Sequence, residues 1–429
     1  MVDSTDFLNP RITKMLFLLI LLALGSGCGS ENGAADMRDP SAWTVMVYMA
    51  GDNDISDAAF ADINEMEQVG SSSDVRVVAQ VEFDPDSPPF PPGNTLRGMI
   101  IKDSDPAVLG SDLTDIGNKD MTDPQTLTEF ITWAAWKYPA EHYLLLLWGH
   151  GSGWKSSPSS SLVSKGMFTD QTSSGTAHLM AISELAEAVH DSTVVFDLIN
   201  LDSCLMGMYE VAHAFKDISQ YLTVSEGLYP IDGDPYAEIL ESLRKNPQMN
   251  GCGLADIILD ACREFYEPRG IRFTKSAIDL SRVHELRTAL SQLVDVLLLD
   301  FDTHVPTILD ARESSVSFTY TTDQYASHDL GDFLDRLDER TDDGEVSGAI
   351  HFLRHELDAC VSANEVFTPL DGDPVLRSQG LSIYLPASTQ VSSTELSRYS
   401  ELPCNQGEEA NWADLVSLLM VTENGVALQ

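Results

Sequence analysis

Apolar runs with the length of a buried strand alternate along this chain with segments of helical periodicity. The four clearest strand-like runs lie at residues 43–50, 75–83, 142–150 and 192–202. Amphipathic helices are predicted between them, in the segments ISDAAFADINEMEQV, DPQTLTEFITWAAWKY and MAISELAEAVHD. Runs that are apolar on both faces are typical of parallel strands covered by helices. The pattern therefore predicts an α/β protein with a mainly parallel sheet sandwiched between helices.

The second half of the chain continues this pattern and then becomes mostly helical. Helices are predicted near 235–246, 254–267 and 282–300, with a strand in RFTKSAIDL and, earlier, a hairpin or edge strand in LRGMIIK. A late run, SQGLSIYLPA, predicts a strand able to rejoin the sheet. The length of 429 residues suits one large α/β unit with an appendage. We predict a core over 41–300 and a mostly helical C-terminal subdomain over 301–429 packed on it.

The N-terminus has the pattern of an export signal. Arg11 and Lys14 precede the apolar run MLFLLILLAL, which is too short to span a bilayer, and small residues follow up to Cys28. These small residues resemble a bacterial lipobox, with Gly25 where leucine is usual. We predict a signal peptide over 1–28 and a tether over 29–40. Two outcomes stay open: a lipid anchor on Cys28 at the bacterial cell envelope, or ordinary cleavage and secretion.

The charge balance excludes one class of partner. Lys and Arg together number 25 against 67 Asp and Glu, for a net charge of −42. Such a surface repels nucleic acid and attracts basic ligands. We therefore expect no nucleic-acid partner.

Six cysteines stand in the chain. If Cys28 carries lipid and Cys204 is free, the remaining four are enough for two disulfides in an oxidising compartment: Cys252, Cys262, Cys360 and Cys404. Their pairing does not follow from the sequence.

Two predicted strands end in reactive side chains. His150 closes the strand LLLLWGH, and Cys204 follows another in NLDSCLMG. Sites in open parallel sheets form at the carboxyl ends of the strands, so both side chains are expected at one edge. A nucleophilic thiol needs a base or a positive field, and His150 can supply the base. The sequence LMGMYEVAHAF predicts a helix directly after Cys204, whose first turn would stabilise a thiolate.

The backbone around these two residues suits a developing oxyanion. The glycines after His150 leave N–H groups free to approach it, and we predict the amides of Gly151 and Cys204 as the donors. Each residue also has an ordinary alternative. An isolated cysteine is more often a core residue, which the pairing with His150 argues against. Asp202 and Ser203 can cap the following helix, and for Ser203 capping is the role we favour.

These stretches resemble the clostripain family of cysteine peptidases, which share the caspase-like fold with legumains and gingipains. The matching blocks run from about residue 43 to 387: WTVMVYMAGDND, YPAEHYLLLLWGHGSGW, NLDSCLMGMYEVA, SEGLYPIDGDPY and GLSIYLP. The resemblance implies a caspase-like fold and an endopeptidase with a His150–Cys204 dyad. It also implies protein or peptide substrates with Arg or Lys at P1, and it associates Asp202 with recognition of the basic side chain. Ser203 stands where alanine is familiar.

Members of this family are often cut between the two dyad residues. The segment 151–178 is rich in Ser and Gly and predicts an exposed loop. Its basic residues are Lys155 and Lys165, and Lys155 is expected to be held at the folded edge beside Trp154. We therefore predict self-cleavage after Lys165, with an uncut covering loop as the alternative.

No cofactor is required by this chemistry, but calcium stays an open alternative. Asp232 and Asp234, and likewise Asp371 and Asp373, offer the oxygen ligands that calcium prefers, and each pair also fits an ordinary Asp-Gly turn. The rival function is a catalytically silent, envelope-binding lipoprotein on the same scaffold. Retention of both dyad residues argues against it.

Overall fold

A large sheet runs through the middle of the protein, in a computed structural model that describes residues 39–85, 94–155, 167–170, 178–318, 326–407 and 409–426. Its strands and those of two small sheets are β1 Ser41–Gly51, β2 Val75–Phe83, β3 Leu96–Met99, β4 Thr114–Asp115, β5 Ala140–Trp148, β6 Met167–Asp170, β7 His178–Met180, β8 Phe196–Asp202, β9 Ser219–Val224, β10 Phe273–Asp279, β11 Ser317–Phe318, β12 Ser327–Asp329, β13 Val361–Phe367 and β14 Ser382–Tyr384.

The helices of the described residues alternate with these strands. They are α1 Ser56–Val69, α2 Pro124–Lys137, α3 Ile182–Asp191, α4 Tyr209–Phe215, α5 Tyr236–Lys245, α6 Gly251–Tyr266, α7 Val283–Leu299, α8 Phe301–Ser314, α9 Leu330–Asp338, α10 Gly344–Cys360, α11 Ser393–Ser400 and α12 Trp412–Val426.

The large sheet has the strand order β13-β10-β9-β8-β5-β1-β2-β3-β4. The five central strands, from β9 to β2, run parallel, and the strands at both ends of the sheet are antiparallel. The parallel strands have their carboxyl ends at one edge, where sites form in sheets of this type.

Helices cover both faces of the sheet. On β5, Leu144, Leu146 and Trp148 pack into a core with α1, α5 and α6, whereas Leu145 and Leu147 pack into a second core with helices that include α2, α3 and α4. This alternation is the strand period of two, and because both faces are apolar the sequence reads as a continuous hydrophobic run. The predicted α/β class, with a mainly parallel sheet between helices, is confirmed.

Two features of the sheet differ from the prediction. The late strand, β14, does not rejoin the large sheet; it pairs with β12 in a small three-stranded sheet with β11. The far edge is instead formed by β13, which follows α10 without an intervening turn and pairs with β10. Partly exposed along its length, β13 lacks the apolar run by which the inner strands are recognised.

The predictions for the N-terminus fall outside the described residues. They concern the signal peptide, most of the tether and Cys28. Within the part of the chain that is described, no helix is long and apolar enough to cross a membrane. Residues from Met37 onward gather into one compact unit, and the proposed division near residue 300 stays a prediction.

Candidate active site

His150 and Cys204 leave the same edge of the sheet on neighbouring strands. In the parallel register of β5 and β8, Trp148 lies opposite Asp202. Each candidate residue comes two positions beyond one of these partners, and the Gly149 N–H donates to the Asp202 carbonyl across the gap at 3.4 Å. The juxtaposition expected from the two strand ends is therefore present in the backbone.

The Cys204 thiol is half-buried and has a donor directed at it. The backbone N–H of Tyr229 donates to Cys204 Sγ at a nitrogen-to-sulfur distance of 3.3 Å. Burial raises the pKa of the Cys204 thiol, the Tyr229 amide lowers it, and the charge of Asp202 raises it. The amide is thus the contact that favours the thiolate form.

The chain directly after Cys204 is not helical, and that prediction is wrong. Leu205 has a φ of +61°, and α4 begins only at Tyr209. The reason lies in contacts with the segment after β9: the Leu205 N–H donates to Gly227 O at 2.9 Å, and the Gly207 N–H to Ser225 O at 2.7 Å. These bonds hold the backbone out of the helical conformation, so the predicted helix does not begin at Cys204.

Gly151 packs directly against the loop that carries Ser203 and Cys204. A Cβ at this position would lie 2.4 Å from the carbonyl oxygen of Cys204 and 2.8 Å from Cβ of Ser203, so only glycine fits. Among the described residues, the N–H groups of Gly151 and Cys204 donate no hydrogen bond. Both amides are therefore available as donors, and their role at an oxyanion stays a prediction.

Ser203 connects the two loops and caps no helix. Its hydroxyl donates to the carbonyl oxygen of Gly149 at 2.6 Å, and the side chain is buried. The preferred capping role is wrong because the helix begins six residues later. Ser203 instead ties the loop of Cys204 to the loop of His150.

Asp202, two residues before Cys204, is buried and is covered by the protein itself. Its carboxylate accepts from the hydroxyl of Tyr236 and from the Asp234 N–H at 2.9 Å. A Cβ on Gly233 would lie 2.9 Å from the same Asp202 oxygen, which shows how closely the 230–235 segment seals it. The pKa of Asp202 is raised to about 7, mainly by burial and to a smaller extent by the charge of Asp234.

Lys275 of β10 is a charged residue of this region that the sequence did not reveal. Its ammonium pairs with Asp234 at 2.9 Å, and both side chains are 0% exposed. The Asp234 carboxylate also accepts from Asn200 at 2.7 Å and from the Tyr229 hydroxyl at 2.5 Å. Coulombic attraction to Lys275, with these hydrogen bonds, lowers the pKa of Asp234 in spite of burial, the largest influence on it, which acts in the opposite direction.

Asp54 is the second residue that the sequence analysis missed. It follows β1 in the GDND turn, and its Oδ1 lies 2.7 Å from Nε2 of His150. The two side chains are 78% and 38% exposed. A turn of Asp and Asn after a buried strand was the available signal, but nothing in the sequence indicates which residue that turn contacts.

Two of the four candidate calcium ligands are engaged with protein groups. Asp234 is paired as described, and Asp373 accepts from the Thr368 hydroxyl and the Val375 N–H. No group of three or more His, Cys, Asp or Glu is arranged to hold a metal among the described residues. Calcium binding stays a prediction without a built site in that part of the chain.

Lys155 is held where the sequence predicted. Its ammonium pairs with Glu395 and lies 5.0 Å from the centre of the Tyr384 ring, and the side chain is buried. Lys165, the predicted cleavage position, lies outside the described residues.

The five cysteines of the described residues are all free, so no disulfide forms among them. Cys262, for example, is buried against Tyr229 and Asp234.

Comparisons with known proteins agree with this architecture. The model of the clostripain family, peptidase family C11, matches residues 47–418. Clostripain from Hathewaya histolytica is 26% identical over 204 residues, 40% of this chain, and the match spans about a third (36%) of clostripain's own length.

Two solved structures share the fold. A secreted C11 cysteine protease from Bacteroides thetaiotaomicron, in complex with an irreversible peptide inhibitor, superposes with a TM-score of 0.64 at 19% identity, over 87% of this chain and 99% of that one. An inactive zymogen C11 protease from Parabacteroides distasonis gives 0.62 at 21% identity, over 85% and 97%. With the family model matching most of its length, this chain belongs to the clostripain family of cysteine peptidases.

Proposed function

We propose that this protein is an exported cysteine endopeptidase in which Cys204 is the nucleophile and His150 the general acid and base. Family membership supports peptidase chemistry. The observation that carries the residue assignment is the register of β5 and β8, which brings both residues to one edge of the sheet. The Tyr229 N–H directed at the thiol adds support, because it favours the attacking thiolate.

The reaction proceeds in two steps through an acyl-enzyme. Cys204 Sγ attacks the peptide carbonyl carbon, and its proton passes to His150. The amides of Gly151 and Cys204 stabilise the resulting oxyanion, and His150 protonates the departing amine, which leaves a thioester. His150 then takes a proton from water, whose oxygen attacks the thioester and frees Cys204.

The substrate side chain at P1 is Arg or Lys. The side chains of Asp62 and Asp202 both lie against Gly233, beside the buried pair of Asp234 and Lys275, and burial raises the pKa of both carboxyl groups. A basic P1 side chain that came close to these carboxyl groups would be attracted to them and would favour their ionised form. Because the 230–235 segment covers Asp202, a P1 side chain meets that carboxylate only if the segment shifts; otherwise Asp202 acts through its charge.

Export and self-processing complete the proposal. The charged, apolar and small-residue pattern of residues 1–28 supports export, with lipid on Cys28 as the anchor. Cleavage after Lys165 is favoured over cleavage after Lys155, because the latter is buried in an ion pair. Intact-mass analysis tests this step: wild type should become two chains, whereas Cys204→Ala should stay single.

The decisive experiment assays the protein from residue 29 onward on a P1-scanning peptide library. Wild type should cleave after Arg and Lys, and Cys204→Ala and His150→Ala should each lower turnover by at least about 10³-fold. Cys252→Ala is the matched control, because this half-buried cysteine lies outside the site and its loss should leave turnover unchanged.

The outcomes separate the proposal from its rival. A silent envelope-binding protein would show no turnover in wild type and no Cys204 labelling by a thiol-reactive arginine mimic. Activity that persists in Cys204→Ala would mean that another residue is the nucleophile. Equal cleavage after Leu or Asp would overturn the P1 assignment alone, and Asp202→Asn should weaken the preference for Arg and Lys.

A further inference from the structure

The turn after β1 is placed against His150 by the register of the sheet. β1 lies on the other side of β5 from β8, and Met49 of β1 is opposite Trp148 of β5. The backbone that continues past Met49 therefore leaves the sheet at the same edge as His150. Asp54 is carried by this turn, and its carboxylate reaches the imidazole from the side of β1.

The turn is braced on both sides of Asp54. The buried side chain of Asn53 donates to Ala50 O at 2.8 Å and accepts from the Ile55 N–H at 3.1 Å. The Ser56 N–H closes the turn onto Asn53 O at 3.2 Å. Asp54 is exposed, yet the backbone that presents it is held by a buried neighbour, so its carboxylate is available to His150 without ordering a loop.

The chemistry of the contact assigns the protons on the ring. A carboxylate only accepts hydrogen bonds, so the His150 nitrogen 2.7 Å from Asp54 Oδ1 must be the donor. With Nε2 protonated, Nδ1 carries the lone pair of the neutral imidazole. Among the described residues, Asp54 is the charged group that contacts this ring.

We propose that Asp54 is a positioning residue for His150. It holds the imidazole in the tautomer whose Nδ1 accepts the Cys204 proton, and its charge stabilises the imidazolium that forms. This inference rests on the proposed peptidase function and assigns a role to a residue outside the dyad. The exposure of Asp54 limits the size of the effect, since water screens the charge.

Asp54→Asn tests the role, because asparagine keeps the shape, removes the charge and can turn either its N–H or its oxygen toward the ring, so it no longer fixes the Nε2-protonated tautomer. We expect kcat to fall about 10- to 100-fold with little change in KM, as for a general base that loses its orientation. Asp54→Glu should recover part of the loss.

Asp57→Asn is the matched control. It removes the same charge three residues later, from an exposed position in the first turn of α1, and should change kcat by less than about twofold. A second measurement is independent of turnover. In Cys204→Ala, ¹⁵N chemical shifts should show His150 protonated at Nε2 in its neutral form, and Asp54→Asn should shift that population toward Nδ1.

The outcomes distinguish this inference from the function on which it rests. An inactive wild type overturns the peptidase proposal. An active wild type with Asp54→Asn indistinguishable from Asp57→Asn in kcat overturns the role of Asp54 and leaves the dyad intact. Loss of activity through an increase in KM alone also contradicts positioning.

Discussion

Two acid–base pairs lie near Cys204, one open to water and the other sealed from it. His150 and Asp54 meet at 2.7 Å on the exposed edge, whereas Lys275 and Asp234 meet at 2.9 Å with neither side chain exposed. The distance between the charged atoms is nearly the same in the two pairs, so the pairs differ mainly in their exposure to water. A pair in contact with water can gain or lose a proton at small cost, and a buried pair cannot change charge without leaving an uncompensated ion.

Because they differ in exposure, the two pairs suit different roles. The exposed pair suits proton transfer, because in the proposed mechanism His150 alternates between its neutral and charged forms. The sealed pair suits a fixed role: it anchors β10 to the 230–235 segment that covers Asp202. The following experiments break or sharpen this comparison, in order of decreasing effect.

Removing the buried cation should have the largest effect. Lys275→Met leaves Asp234 charged and unpaired, and we expect the free energy of unfolding to fall by about 3–5 kcal/mol. Unfolding in urea measures this loss of stability. The double change Lys275→Met with Asp234→Asn should recover much of the loss, because no lone charge remains.

An exposed lysine is the matched control for this change. Lys245 lies 3.5 Å from Glu241 with its side chain 68% exposed, and Lys245→Met should leave the unfolding midpoint unchanged. If Lys275→Met unfolds at the wild-type urea concentration, the sealed pair does not stabilise the fold.

A buried carboxyl without a cation should behave in the opposite way to Asp234. Glu210 of α4 accepts from the Tyr384 N–H and the Tyr399 hydroxyl, and burial, only partly offset by these bonds, raises its pKa from 4.5 to about 7. The folded state therefore holds a proton that the unfolded chain releases. Its contribution to stability is fully present below about pH 4.5 and is lost as the pH rises through 7, by up to about 3 kcal/mol.

Glu210→Gln tests this linkage. The amide keeps the acceptor and cannot ionise, so the variant should lose less stability than wild type between pH 4.5 and 8 in denaturant titrations. Parallel stability–pH curves for the two proteins would show that Glu210 is not protonated in the folded state.

A neutral buried bond should have a smaller effect than either charged site. Ser203→Ala removes the 2.6 Å hydrogen bond to Gly149 O between the loops of the dyad. We expect a loss of about 1 kcal/mol in thermal unfolding, with a kcat reduced severalfold because His150 is less firmly placed. An unchanged kcat beside a lowered melting temperature would mean that this bond serves stability alone.

Salt should have the smallest effect and separates the two pairs directly. Raising ionic strength from 0.1 to 1 M shortens the screening length from about 10 to about 3 Å. The ratio of wild-type to Asp54→Asn activity should therefore shrink by about twofold, while the stability gap between wild type and Lys275→Met stays constant. If salt instead narrowed the stability gap and left the activity ratio constant, exposure would not explain the difference between the two pairs.

The central strands and the positions of the dyad were predictable because each depends on local sequence. β2 matches its apolar run at Val75–Phe83, and β5 and β8 end just before His150 and Cys204 as expected. Parallel strands have their carboxyl ends on one side, so two reactive residues after two such strands are expected together without knowledge of any contact.

Other features failed because they depend on partners far along the chain. The apparent helix after Cys204 has helical periodicity, but Gly227 and Ser225 pull its first residues into another conformation. β14 has the composition of a sheet strand, yet its partner is β12 of a separate small sheet. Neither partner can be read from the local pattern.

The sequence by itself determined the α/β class and that His150 and Cys204, the candidate dyad, lie at one edge of the sheet, because hydrophobic period and strand direction suffice for these. Only the tertiary structure decided that Asp54 meets His150, that Lys275 neutralises Asp234, and that Asp202 is covered. Those facts are distances between side chains from different strands and turns. They follow from sheet register and burial, which cannot be deduced from any single stretch of sequence.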